Sequence, residues 1–244
     1  MVIPGKVLDK KLNILGITLA RGGSKSIPNK NITLLDGMPL IYYTIKEAHE
    51  SSFLSDYIVS TDSKKIAEVA KSFDAEVPFL RPAELSLDES SSLSALQHAV
   101  KFMEEKKNIE YDFIVELMCT NPLKKVNDID NCIEKIIRTG ADSVIAVHQL
   151  EDHHPARIKK IENDILVDFC VPEKNESRRQ DLTPKAYIRS GSIYCMSREY
   201  LMEKNRRYGG NNSRPYILPS ERTVNIDTPA DLELARYLIK QENI

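Results

Sequence analysis

The sequence predicts an α/β protein with a mostly parallel sheet covered by helices on both faces. Apolar runs bounded by turn residues alternate with helical patterns up to about His148, the order that builds parallel β-α-β units. Beyond His148 the pattern changes to a hairpin and a polar stretch, which reads as an antiparallel excursion.

The first strand is "LNILGITLA", an apolar run at 12–20. "YIVST" at 57–61, "AEVPFL" at 75–80, "YDFIVELM" at 111–118 and "ADSVIAV" at 141–147 read as further buried strands. Helical periodicity falls between them at 39–51, 63–73, 93–106 and 127–139. "ARIKKIENDILVDFC" reads as a hairpin turning at Glu162-Asn163-Asp164, before the polar "PEKNESRRQDLTPK" and a strand "GSIYCM". A last helix is expected from Pro229 to about Gln241, with Thr228 as N-cap and Pro229 at the favoured first position. The organisation expected is one domain over 12–244, an arm at 148–185 and an N-terminal tail at 1–11.

Lys and Arg total 34 against 36 for Asp and Glu, so general attraction to nucleic acid or an anionic membrane is not expected. Cationic residues must then act locally. Cys119, Cys132, Cys170 and Cys195 lack C-x-x-C spacing, sit in apolar or mixed surroundings and read as reduced core thiols rather than a disulfide framework or zinc site. With no apolar stretch of membrane-spanning length and no apolar signal core in "MVIPGKVLDKK", a cytoplasmic location is expected.

The richest local chemistry lies directly after the first strand, in "ARGGSKSIPNKN" at 20–31. Glycines admit close backbone approach, and N–H groups with cationic side chains complement phosphate. Neither the G-x-x-x-x-G-K-S nor the G-x-G-x-x-G spacing is present, and a solvated turn is the competing reading of this composition. Ligands of open parallel sheets bind beyond the carboxyl ends of the strands. That crevice could also collect Ser60-Thr61-Asp62, Arg81, Cys119-Thr120-Asn121 and the 148–154 segment.

With these residues in place, the chain resembles the CMP-N-acylneuraminate synthetase family over nearly its whole length. The resemblance rests on "ARGGSKSIPNKN", "IVSTDSKKIAEVA", "RPAELSLDESSS", "TNPL", "EDHHPARIKKI", "RRQDL", "GSIY" and "NIDTPADLELA", in that order. It implies a Rossmann-like nucleotidyltransferase fold, a homodimer joined through the arm, CTP and a 3-deoxy-2-ulosonic acid as substrates, and magnesium (Mg2+) as cofactor. Matching residues imply nucleotide contacts from Arg21, Ser24, Lys25, Lys30, Asn31, Arg81 and Ser92, with Asn31 near the ribose and Arg81 toward the base. They imply Arg21, Lys30 and Asp227 as catalytic, Asp227 and Asn225 at the metal, and Arg157, Arg179, Ser190 and Tyr194 at the sugar acid. Arg157 and Arg179 suit the acid's carboxylate, because a guanidinium fork binds a carboxylate bidentately.

The chain departs from the family pattern at three points. Met118 stands where sialic acid synthetases usually have glutamine, Asn225 replaces the first carboxylate of "D-I-D", and Ser190 replaces asparagine in "NGAIY". Residues 225 and 227 would face one side of an extended stretch, leaving Asp227 as its acid. Activation of another ulosonic acid, use of another nucleoside triphosphate, and a weakened nucleotide-binding homologue are the alternatives. His153 and His154, adjacent and therefore pointing apart on an extended segment, do not read as a zinc pair.

Overall fold

The structure, a computed structural model, describes residues 11–87, 89–150, 152–173 and 178–242, with the backbone of Val2–Ile3 and Lys6–Val7. Strand β1 (Ile14–Leu19) lies between β2 (Asp56–Ser60) and β3 (Phe113–Leu117), and is parallel to both. The chain thus changes side of β1 at the carboxyl ends of β1 and β3, where an open α/β sheet forms its ligand crevice. β4 (Ser143–Gln149) and β8 (Ser213–Ile217) form a second parallel pair, and β7 (Tyr187–Ser197) runs antiparallel between β3 and β4. The six-stranded sheet has the order β8-β4-β7-β3-β1-β2.

Period-two alternation divides the core into layers. Ile14, Val115 and Leu117 meet Ile41, Ile45, Ile133 and Ile136 from α1 (Leu40–His49) and α4 (Val126–Thr139). Leu15, Ile17 and Ile114 point to the opposite face, against Leu96, Ala99 and Val100 of α3 (Ser92–Lys107). Helix starts carry the expected chemistry: the Ser63 hydroxyl accepts from Ile66 N at α2 (Lys64–Lys71), and that of Ser91 from Ser94 N at α3. Helix α4 stops at Gly140, whose φ of 60° suits a residue without Cβ.

Four sequence expectations change. Residues 75–80 form no strand, only isolated bridges Ile58↔Glu76 and Thr61↔Leu80, because Pro78 has no N–H for a ladder. "GSIYCM" is not part of the excursion but the second half of β7, inside the main sheet. Cys170, expected with the other cysteines in the core, is exposed, whereas Cys119, Cys132 and Cys195 are buried. Within the expected tail, Val2–Ile3 pairs antiparallel with Lys6–Val7, and residues 1, 4–5 and 8–10 lie outside the described residues.

The excursion itself is the hairpin β5 (Lys159–Glu162) and β6 (Ile165–Asp168). It turns through Asn163 and Asp164, whose φ values of 52° and 64° match a two-residue I′ turn. Ile161, Ile165, Leu166 and Phe169 are all more than half exposed. The polar stretch that follows is described except at 174–177. Among the described residues no helix is long and apolar enough to cross a membrane.

Helix α5 (Pro229–Glu242) begins with a reciprocal cap. Asp231 N donates to Thr228 Oγ1 (3.3 Å), while the Asp231 carboxylate accepts from the backbone N–H groups of Thr228 (2.7 Å) and Asp227 (3.0 Å). Burial alone would raise the Asp231 carboxyl, but these hydrogen bonds outweigh it and hold its pKa below the ordinary value. Asp231 caps the helix, which leaves the Asp227 side chain to the crevice.

Candidate active site

A cavity of about 560 Å³ occupies the crevice at the ends of β1 and β3. Arg21, Ser24, Lys25, Lys30, Asn31, Arg81 and Ser92 all line it, as do Asn225 and Asp227. Every expected nucleotide-binding and metal-side residue therefore meets in one place. Arg21, Lys25, Lys30 and Arg81 stand against the carboxylates of Glu116 and Asp227, so the wall carries an excess of positive charge.

Local bonds give the loop its shape. Gly22 N donates to Asp62 Oδ1 (2.9 Å), and a Cβ at Gly22 would come within 3.1 Å of Ser63 Cβ. Asn31, buried, donates from Nδ2 to the Arg21 carbonyl (3.0 Å), tying the two ends of the loop together. Arg81 is 6 % exposed and donates from Nε to Ser86 Oγ (2.9 Å), with Asp62 3.9 Å away. Burial draws its pKa down, although the Asp62 carboxylate opposes the shift.

Lys30 spans the crevice. Its Nζ lies 2.9 Å from both Asp227 Oδ1 and the Ile226 carbonyl, while Asn225 Nδ2 donates to the other Asp227 oxygen. Residues 225 and 227 do face the same side, as the extended spacing requires. Among the described residues no group of three or more His, Cys, Asp or Glu side chains could hold a metal. One carboxylate, Asp227, beside a cavity with room for substrate phosphates still fits magnesium, which keeps much of its hydration and shares ligands with such phosphates.

A second cavity, of about 690 Å³, shares Met118 and Asn225 with the first. Ser190 and Tyr194 line it, together with His148, His153 and Arg189. The Ser190 hydroxyl is buried and donates to the Ala146 carbonyl (2.9 Å). The β7–β4 register shifts around Gly191, whose φ is 62° and whose Cβ, if present, would lie 3.1 Å from Asn225 Oδ1. A glycine there lets strand β7 press against the Asn225 side chain.

Arg157 and Arg179 line neither of these cavities. Both sit on the arm beyond the end of β4, where acids of the same excursion hold them: Arg157 is 3.8 Å from Glu173 and Arg179 3.2 Å from Asp152. Arg179 lines a separate cavity with His154 and Lys185. His153 and His154 point apart, since His154 is buried, accepting from Ala156 N at Nδ1 and bonded to the Pro184 carbonyl through Nε2.

A buried ion pair that no sequence motif marks lies beside the two cavities. Glu116, 2 % exposed, sits on the α3 side of the sheet, and Arg207 Nε lies 2.5 Å from its Oε2. Desolvation pushes the Glu116 carboxyl up and Arg207 partly counters it. The Arg207 guanidinium also lies 4.4 Å from the centre of the Tyr194 ring. A lone acid in "FIVEL" was the available signal, since charge in a doubly covered strand needs a partner. Lys124 is likewise unmarked by any motif: fully buried, it donates to Thr44 Oγ1 (2.7 Å) and the Asn121 carbonyl (2.5 Å), and desolvation lowers its pKa to about 8. It supports the turn that delivers Thr120 to the first cavity.

The sequence model of a family described as cytidylyltransferase matches residues 15–243. The chain is 35 % identical over 227 residues to a pseudaminic acid cytidylyltransferase of Campylobacter jejuni, covering 93 % of this chain and 96 % of that one. It is 32 % identical over 231 residues to a CMP-N,N'-diacetyllegionaminic acid synthase of Legionella pneumophila, covering 94 % and 97 %. Its fold is similar to that of a solved CMP:2-keto-3-deoxy-manno-octonic acid synthetase complexed with CTP. That match has a TM-score of 0.70 at 17 % identity and covers 94 % of this chain and 99 % of the other.

Proposed function

The chain belongs to the cytidylyltransferase family, and from that premise we propose that it joins CTP to a nonulosonic acid, giving a CMP-sugar and pyrophosphate. The observation that carries this reading is the union, in one crevice, of four cationic side chains with Asp227, adjoining a second cavity through Met118 and Asn225. The anomeric hydroxyl gives up its proton to water and its oxygen attacks the α-phosphorus, the bond from that phosphorus to the oxygen bridging the β-phosphate breaks, and pyrophosphate leaves with that oxygen. Arg21, Lys25 and Lys30 take the triphosphate oxygens, Arg81 faces the base, and Asn31 and Ser92 frame the ribose side. Ser24 adds a hydroxyl to the phosphate loop. Ser190 and Tyr194 shape the sugar cavity.

Asp227, with Asn225 beside it, would hold magnesium, which supplies charge screening at the phosphates. The exposed apolar arm favours a homodimer in which Arg157 and Arg179 serve the rim of the partner's sugar site. The enzyme would work in the cytoplasm, where CTP is made.

Purified protein, CTP, magnesium and a panel of pseudaminic, legionaminic, N-acetylneuraminic and octulosonic acids test the reading. Equimolar pyrophosphate and CMP-sugar are expected with at least one nonulosonic acid. CTP binding without pyrophosphate release would instead support a weakened nucleotide-binding homologue, and preference for another triphosphate would overturn the choice of CTP.

A further inference from the structure

We propose that Arg189 receives the carboxylate of the sugar acid, an inference that rests on the cytidylyltransfer reading above. Arg189 lies on β7 next to the Gly191 shift and lines the sugar-side cavity with Tyr194, Met118 and Asn225. In a 2-ulosonic acid the attacking hydroxyl and the carboxylate share one carbon. The carboxylate's anchor must therefore border the nucleotide cavity, and Met118 and Asn225 are the residues common to the two.

Charge around Arg189 supplies the second reason. Two guanidinium groups gather on the Tyr208 ring, Arg189 at 4.2 Å and Arg207 at 5.4 Å from its centre. Arg207 has its counter-ion in Glu116, 2.5 Å away. Arg189 makes no ion pair among the described residues, so one positive charge of this cluster is left facing the cavity. Stacking occupies the face of the Arg189 guanidinium and leaves its in-plane N–H fork for a planar anion. The arm arginines differ, because each already has a carboxylate at hand: Glu173 for Arg157 and Asp152 for Arg179. Arg189 thereby selects acids over neutral ketoses.

Steady-state kinetics of Arg189→Met and Arg189→Lys with the acid that the wild type uses test this role. Arg189→Met should raise KM for the acid roughly 10- to 100-fold and leave KM for CTP within about twofold. Arg189→Lys should recover part of the loss, since it restores charge without the fork. With the methyl ester of the same acid, wild type and Arg189→Met should give equal KM values. Arg189 is exposed, and an unchanged thermal midpoint reports that the variants fold. An unchanged KM for the acid, an equal rise in KM for CTP, or the same loss in Arg179→Met with none in Arg189→Met would overturn the assignment. A wild type that turns over no sugar acid removes the functional reading beneath it, a result separate from all of these.

Discussion

Replacing Arg207 with Met should destabilise the protein by an amount that grows with pH. The substitution leaves Glu116 2 % exposed without its cation, and breaking a buried ion pair costs about 3–5 kcal/mol when the remaining charge cannot neutralise. Glu116 can neutralise by taking up a proton. Its ordinary value is 4.5, and desolvation, now unopposed by Arg207, drives the folded-state value upward. The folded variant then binds more protons than the unfolded chain above pH 4.5, so stability falls as pH rises through the window up to the raised folded value. Holding the proton costs about 1.36 kcal/mol per pH unit above the ordinary value, which caps the charge penalty near 1.4 kcal/mol at pH 5.5 and near 4.8 at pH 8. The lost Arg207–Tyr194 stacking adds about 1 kcal/mol at either pH. Urea unfolding of wild type and variant at pH 5.5 and 8.0 measures both. A wild-type-minus-variant difference at least 2 kcal/mol larger at pH 8 is expected. A pH-independent loss, or one that grows toward acid, would refute the reasoning, and the double variant Glu116→Gln, Arg207→Met should remove most of the pH dependence.

Other outcomes separate chemistry from scaffolding. Asp227→Asn should lose most magnesium-dependent turnover with little change in thermal midpoint, because the Thr228–Asp231 cap remains, whereas Asp231→Ala should cost about 0.5–2 kcal/mol. Restoring Asn225→Asp should make activity depend more steeply on magnesium, as read from a magnesium titration. Arg21→Ala and Lys30→Ala should each reduce turnover sharply at limiting CTP while folding normally. Gly191→Ala should impair both stability and turnover, through its φ of 62° and the 3.1 Å approach to Asn225, with melting curves and pyrophosphate assays as readouts. Light scattering should show a dimer that dissociates when Ile161 and Phe169 are replaced by Asp, exposed apolar positions of the arm.

The strand-helix alternation was legible because each buried strand is a short apolar run and several helix starts carry a Ser or Thr cap, at Ser63, Ser91 and Thr228. The loop that lines the first cavity was legible because its glycines, serines and cations are contiguous, from Arg21 to Asn31. Three things were not. Pro78 within an apolar run reads as a strand until the ladder is drawn, and only then does the missing N–H matter. "GSIYCM" gives no hint that it runs against its neighbours, since direction depends on where the arm returns the chain. The Glu116–Arg207 contact joins residues far apart in sequence, and Arg207 in "NRRYGG" looks like any solvated arginine until Tyr194 and Glu116 are placed beside it.

The arm leaves and re-enters the sheet at a single point. Gln149 and Tyr187 are register partners in β4 and β7, and Leu150 N donates to the Ala186 carbonyl (2.9 Å) just outside them. Everything between is a closed detour whose two ends are already stapled to each other. Lengthening or shortening such a detour adds only a slowly growing loop-closure term and leaves the flanking strands in place. A change of length between 150 and 186 would thus leave β1, β3 and the crevice at their carboxyl ends where they are, while altering the side of the second cavity that His153 and Ile158 line.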